Sequence, residues 1–134
     1  MLMKTMKVLI VDDNPQMREM MRQYLPVSAD DVRECSDGVN ALSAYTEFHP
    51  DFVLMDWQMK LMDGLTATKE ILRVFPEAYI LLVTQFDDAE LRATAFQSGV
   101  RGFVSKDDLL ILRSILQTSG NCQPTVAKAE ENKM

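Results

Sequence analysis

The run Phe52-Val53-Leu54-Met55, entered through Pro50-Asp51 and closed by Asp56, constrains this chain more than any other stretch. Four consecutive apolar residues leave no polar face, so a strand made from them is buried on both sides. That is the condition of a central strand in a parallel sheet covered by helices. In such sheets ligands bind beyond the carboxyl ends of the strands. Asp56 therefore stands where the chain leaves the core and faces a site, and it reads as the reactive group.

Other segments repeat the theme. Residues 6–11 form an apolar, β-branched run that ends on Asp12-Asp13. Asn14 then Pro15 make a helix start, with Met17, Met20, Met21, Tyr24 and Leu25 following at helical spacing. Residues 31–35 read as a weak, polar edge strand before the Ser36-Asp37-Gly38 turn. Ala41, Leu42, Tyr45 and Phe48 mark a second helix; an aperiodic loop over 57–64 precedes a third, marked by Thr68, Ile71, Leu72 and Phe75. Residues 79–83 are another buried strand, ending at Thr84. Asp87 with Glu90 is expected to form a capping box for a fourth helix that Gly99 closes. A short fifth strand over 101–105 stops at Lys106, and Asp107 is expected to N-cap a last helix carrying Leu109, Leu112, Ile115 and Leu116, with Gly120 beyond its end.

Five strands alternating with five helices imply right-handed βαβ crossovers and an α/β, doubly wound, five-stranded parallel sheet. The flavodoxin-like order 2-1-3-4-5 is expected, taken from known doubly wound proteins of this size rather than derived from the pattern. Its switch point lies between strands one and three, where Asp12, Asp13 and Asp56 would meet. The 134 residues suffice for one domain, expected over 1–117, with 118–134 as a polar, disordered tail.

A net charge of -6 argues against nucleic-acid binding by this domain and favours a small cation as ligand. Cys35 and Cys122 lack metal-ligand spacing, and no signal peptide or membrane-spanning run is evident, so a cytoplasmic protein with reduced thiols is expected. His49, the only histidine, precedes strand three at the end away from the acids and is expected to be inert. The ten methionines read mainly as core filling.

Four strand ends thus deliver three carboxylates, a hydroxyl and an ammonium to one rim. Two carboxylates ~4 Å apart repel by about 1 kcal/mol in water and about 4 at an effective dielectric of 20, so the group needs a counter-charge. Oxygen ligands without His or Cys select a hard ion such as Mg²⁺. An aspartate beside such an ion is a phosphoryl acceptor by its chemistry, with Mg²⁺, Lys106 and Thr84 contacting the transferred group.

The combination of Asp12-Asp13, Asp56 with Met59 and Asp63-Gly64 downstream, Thr84, and Phe103 three residues before Lys106 resembles the receiver domain of two-component response regulators, over about residues 6–117. The resemblance implies that Asp56 takes phosphate from a phosphohistidine on a sensor histidine kinase or histidine phosphotransfer protein. It implies Mg²⁺ on Asp13, Asp56 and the backbone carbonyl of Gln58, with Asp12 acting through water, and Lys106 on the phosphoryl oxygens. Thr84 and Phe103 would then move as a switch, changing the face of helix four, strand five and helix five that a downstream protein effector or output domain reads. A phosphorylation-dependent dimer is compatible with it, and the run Ser105-Lys106-Asp107-Asp108 resembles receivers that precede helix-turn-helix domains. The chain departs from the family's pattern at Lys60, where Pro is usual, and at Gln85-Phe86, where a small residue commonly follows Thr84; slow phosphoryl exchange is expected from these. Asp107 stands where many members carry a Pro after a cis bond, and a trans bond is expected here. Two alternatives differ in kind: a degenerate receiver that binds partners without phosphate, and a phosphatase of the haloacid-dehalogenase type. The latter places its nucleophile after strand one in an Asp-x-Asp arrangement, which this chain lacks.

Overall fold

A computed structural model describes residues 6–86 and 88–121. The elements run β1 (Val8–Val11), α1 (Pro15–Gln23), a 3-10 turn (Ala29–Asp31), β2 (Val32–Cys35), α2 (Ala41–Phe48), β3 (Phe52–Asp56), α3 (Gly64–Val74), β4 (Ile80–Thr84), α4 (Ala89–Ser98), β5 (Gly102–Ser105) and α5 (Ile111–Asn121). All strands are parallel and lie in the order β2-β1-β3-β4-β5. The flavodoxin-like sheet with five flanking helices is thus as the sequence suggested.

Strand periodicity splits the core in two. Leu9, Val11, Val53, Met55, Ile80 and Leu82 point to the side covered by Tyr45 of α2, Ile71 of α3 and Ala95 of α4. Val8, Ile10, Leu54, Leu81, Val83 and Val104 point to the side covered by Met21 of α1 and by Leu112 and Leu116 of α5. The three central strands, β1, β3 and β4, are buried along their whole length, while β2 is partly open, as a polar edge strand must be. The acids and hydroxyl at the ends of β1, β3 and β4 are therefore attached to fully buried strands.

Local chemistry sets the element ends. Asn14 caps α1 by accepting from the Gln16 and Met17 amides, with Pro15 at its first position. Gly99 closes α4 in the left-handed region at φ 108. His49 takes the same conformation at the end of α2, remote from the acids, with its ring edge-on to Phe75.

Several expectations need correction. The cap of α4 is Asp88, which is extended and accepts from the Glu90 amide; Asp87, expected in that role, lies outside the described residues. Asp107 does not cap α5. Its amide donates to Ser105 Oγ, the chain turns tightly through Asp108, and the helix begins only at Ile111. Leu109 is buried ahead of the helix, so the turn that seats it delays the helix start. At its other end α5 runs through Gly120 to Asn121, because adding hydrogen-bonded turns beyond the last apolar contact costs a formed helix little. Of the expected tail over 118–134, residues 122–134, with Cys122, lie outside the described residues. Residues 29–31 form a 3-10 turn capped by Ser28, so β2 starts at Val32. Met20 is 45% exposed while Met21 is fully buried, so the apolar face of α1 is narrower than its spacing suggested. The described peptide bonds are trans, Lys106–Asp107 included.

Candidate functional site

Parallel pairing brings the strand ends to one rim. Asp12 and Asp13 follow β1, Asp56 ends β3 and Thr84 ends β4, while Lys106 follows β5. One oxygen from each of Asp12, Asp13 and Asp56 lies within 4.8 Å of the others. Asp12, Asp56 and Thr84 are buried, Asp13 is half-buried, and the Lys106 side chain is mostly covered.

Lys106 is the counter-charge within this group. Its Nζ lies 2.9 Å from Asp56 Oδ1 and 3.3 Å from Asp12 Oδ2. One ammonium against three carboxylates leaves negative charge in excess. Burial, reinforced by the Asp12 and Asp13 charges and opposed by Lys106, pushes the Asp56 carboxyl up to about 6. Burial works to lower the Lys106 ammonium, but its contacts with Asp56 and Asp12 outweigh this and hold it above the ordinary lysine value.

The remaining contacts fix the acids from outside. Asp12 Oδ1 accepts from the Asn14 amide at 2.8 Å. Asp12 Oδ2 is buried and takes no hydrogen bond, having only the 3.3 Å ion pair. Asp13 Oδ2 accepts from the backbone N–H of Lys60 at 3.1 Å. Thr84 Oγ1 accepts from the Phe86 amide at 3.1 Å, and the Phe86 ring meets Trp57 edge-on with centroids 5.7 Å apart. Gln58 is exposed, and with Asp13, Trp57, Lys60 and Lys69 it lines an open cleft of about 810 Å³ beside the acids. Phe103 of β5 is half-buried, with the Arg92 guanidinium 4.5 Å from its ring centre.

Sequence reading missed three contacts. Arg18 donates to the Asp12 carbonyl at 2.8 Å and to Glu34 of β2 at 2.7 Å, bracing the acid pair from α1. With Arg22 also on Glu34, both guanidiniums offset burial and leave that carboxyl below its ordinary value. Lys60 and Gly64 were singled out in the sequence, but not the Lys60 amide's bond to Asp13 or the press of Gly64 against the Asp56 carbonyl. Arg18 alone had a local signal, lying one helical turn beyond Asn14.

Fold and rim together define a class: a doubly wound sheet presenting an Asp triad, a hydroxyl and a lysine at its switch point. A sequence model described as "Response regulator receiver domain" matches residues 8–117. The chain belongs to that family and is the receiver domain of a two-component response regulator. It is 35% identical over 100 residues to the chemotaxis protein CheY of Halobacterium salinarum, covering 75% of this chain and 83% of that one. It spans about half the length of longer curated relatives, 49% of one and 52% of another. Among solved structures, a LuxR-family two-component response regulator from Aurantimonas sp. SI85-9A1 superposes with a TM-score of 0.78 at 28% identity, over 98% of this chain and all of that one. The receiver domain of the histidine kinase CKI1 from Arabidopsis thaliana, solved complexed with Mg²⁺, gives 0.71 at 29% identity, over 84% and 90% of the two chains. Among the described residues no helix is long and apolar enough to cross a membrane.

Proposed function

We propose that this domain accepts a phosphoryl group on Asp56 and releases it by hydrolysis, and that the change is read by a downstream protein or output domain. The observation that carries the reading is the Lys106 ammonium ion-paired with both Asp56 and Asp12 within the acid group. An Asp56 oxygen attacks phosphorus, the bond from phosphorus to the donor's imidazole nitrogen breaks, and that nitrogen keeps the electron pair. Water later attacks the same phosphorus and the Asp56 carboxylate leaves.

The residues present fit a divalent cation. Asp12 Oδ2 is a buried anionic oxygen short of hydrogen bonds, and the donors are all oxygen. Asp13 and Asp56, with the Gln58 carbonyl, would hold it, and Asp12 would act through water. Bound there, Mg²⁺ supplies positive charge to the phosphoryl oxygens. The Mg²⁺-bound CKI1 receiver supports this assignment by similarity. Ligand linkage gives the measurable consequence: Mg²⁺ at a hundredfold its dissociation constant stabilises the fold by about 2.7 kcal/mol, a rise in Tm of roughly 10 °C. Asp13→Asn is expected to remove most of that rise in thermal melts.

Within this reading Lys106 orients the incoming group and Thr84, freed from the Phe86 amide, donates to one of its oxygens. Phe103 then turns into the space that Thr84 leaves, altering the face of α4, β5 and α5. The donor is a phosphohistidine of a sensor kinase or phosphotransfer protein, met in the cytoplasm. The deciding experiment incubates the protein with Mg²⁺ and a small acyl or amido phosphodonor. One acid-stable, base-labile phosphate per chain, absent in Asp56→Asn, is the expected product. With Phe86 packed on Trp57 beside the acids, it should form slowly and persist. Catalytic turnover would instead indicate a phosphatase, and no adduct a receiver that acts by binding alone.

A further inference from the structure

We infer that the backbone N–H of Lys60 is a positioning group for the cation site, fixing the Asp13 carboxylate for metal binding. The inference rests on the reading of Asp12, Asp13 and Asp56 as that site. Asp12 and Asp56 are held by burial, by Lys106 and, for Asp12, by the Asn14 amide. Asp13 is more open, and among the described residues the Lys60 amide is the hydrogen-bond donor to its side chain. That bond holds Oδ2 and so fixes the carboxylate's rotamer before any ion arrives.

The bond depends on the residue type at position 60. A proline there has no N–H to give, so the departure from the family's usual residue creates the contact. The bond also joins segments 47 residues apart, tying the end of β1 to the loop that follows Asp56. Two cation ligands are thereby held at a set separation before any ion arrives. Lys60 is exposed and lines the open cleft, and it is its main-chain N–H, not its ammonium, that meets Asp13. Loss of a hydrogen bond behind a metal ligand commonly costs 10–100-fold in affinity.

The test compares Lys60→Pro, which deletes the N–H, with Lys60→Ala, which keeps it and deletes the ammonium. Mg²⁺ affinity is read by calorimetry and by fluorescence of Trp57, the one tryptophan. The expected result is binding at least tenfold weaker in Lys60→Pro than in Lys60→Ala; equal affinities overturn the inference. Amide hydrogen exchange decides without any metal, and serves if Lys60→Pro folds poorly. The Lys60 amide should exchange about tenfold faster in Asp13→Ala than in the unaltered protein, and an unchanged rate overturns the proposed bond. Failure of the unaltered protein to bind millimolar Mg²⁺ would overturn the cation-site reading itself, while the exchange comparison still reports on the bond.

Discussion

Replacing Gly64 with alanine is expected to destabilise the protein by about 2–3 kcal/mol and to weaken Mg²⁺ binding with it. Gly64 is the first residue of α3, and a Cβ there would run into the backbone carbonyl oxygen of Asp56, with the Asp56 carbonyl carbon at 2.9 Å and Met55 Cγ at 3.0 Å. These are not atoms at the end of a flexible side chain. They belong to β3, which is paired on both sides and buried throughout, so relief requires α3 to move outward or the Asp56 peptide to tilt. The Gly64 N–H also donates to the Trp57 carbonyl at 2.7 Å, and either movement stretches that bond. A fall in Tm of roughly 10 °C corresponds to this cost. Leu61→Ala, three residues earlier and 72% exposed, is the comparison and should stay within about 0.5 kcal/mol. Equal melting of the two variants would refute the close approach.

Asp56→Asn is expected to make the metal-free protein more stable at neutral pH and to flatten its pH dependence. The Asp56 carboxyl titrates at about 6 in the fold against 3.8 ordinarily, so the folded chain binds this proton more tightly than the unfolded chain. The associated stability is complete below pH 3.8 and is lost as pH rises through 6. Above that range the ionised group opposes folding, by on the order of 1–2 kcal/mol once solvent screening at the rim is allowed for. Asparagine carries no such charge. Its advantage should therefore be present at pH 7.5, shrink through pH 6 and vanish near pH 4. Saturating Mg²⁺ should reverse the order at pH 7.5, because only the carboxylate gains from the cation. Melts across this range, with chelator and then with Mg²⁺, check both halves. A variant that melts below the parent at pH 7.5 without metal would show that Lys106 loses more than the acids gain.

The sheet was legible because its signals are short and local. Runs at 52–55 and 80–83 have no polar face, so they had to be central strands, and each stopped at the residue now found on the rim. Asn14-Pro15 and Gly99 likewise carry their conformational reasons within a residue or two. The misplaced caps share one cause: adjacent acids at 87–88 and 107–108 offer the same local signal, and the position of the turn decides whether one caps the helix, as Asp88 does for α4, or lies ahead of it, as Asp107 does for α5. Leu109, which the apolar spacing placed on the last helix, is instead buried in the turn ahead of it, a tertiary placement that spacing does not distinguish. The same holds at the site. Acid, hydroxyl and lysine were visible as strand ends, whereas Arg18 on the Asp12 carbonyl, Lys60 on Asp13 and Gly64 against Asp56 depend on approaches between segments that the chain's order does not reveal.

The ladder between β4 and β5 has one more effect. The Lys106 amide donates to the Thr84 carbonyl at 2.8 Å, immediately beyond the pairing of Thr84 with Ser105. The two residues are therefore fastened to each other through the main chain, although their side chains do different work. In the proposed switch the Thr84 hydroxyl would change partner by rotation about χ1, its backbone being tied to that of Lys106. Substitutions in the 85–88 loop should thus alter the hydroxyl's choice of partner and leave the ammonium in register. On the proposed phosphoacceptor reading, timing and charge balance would then be separable traits.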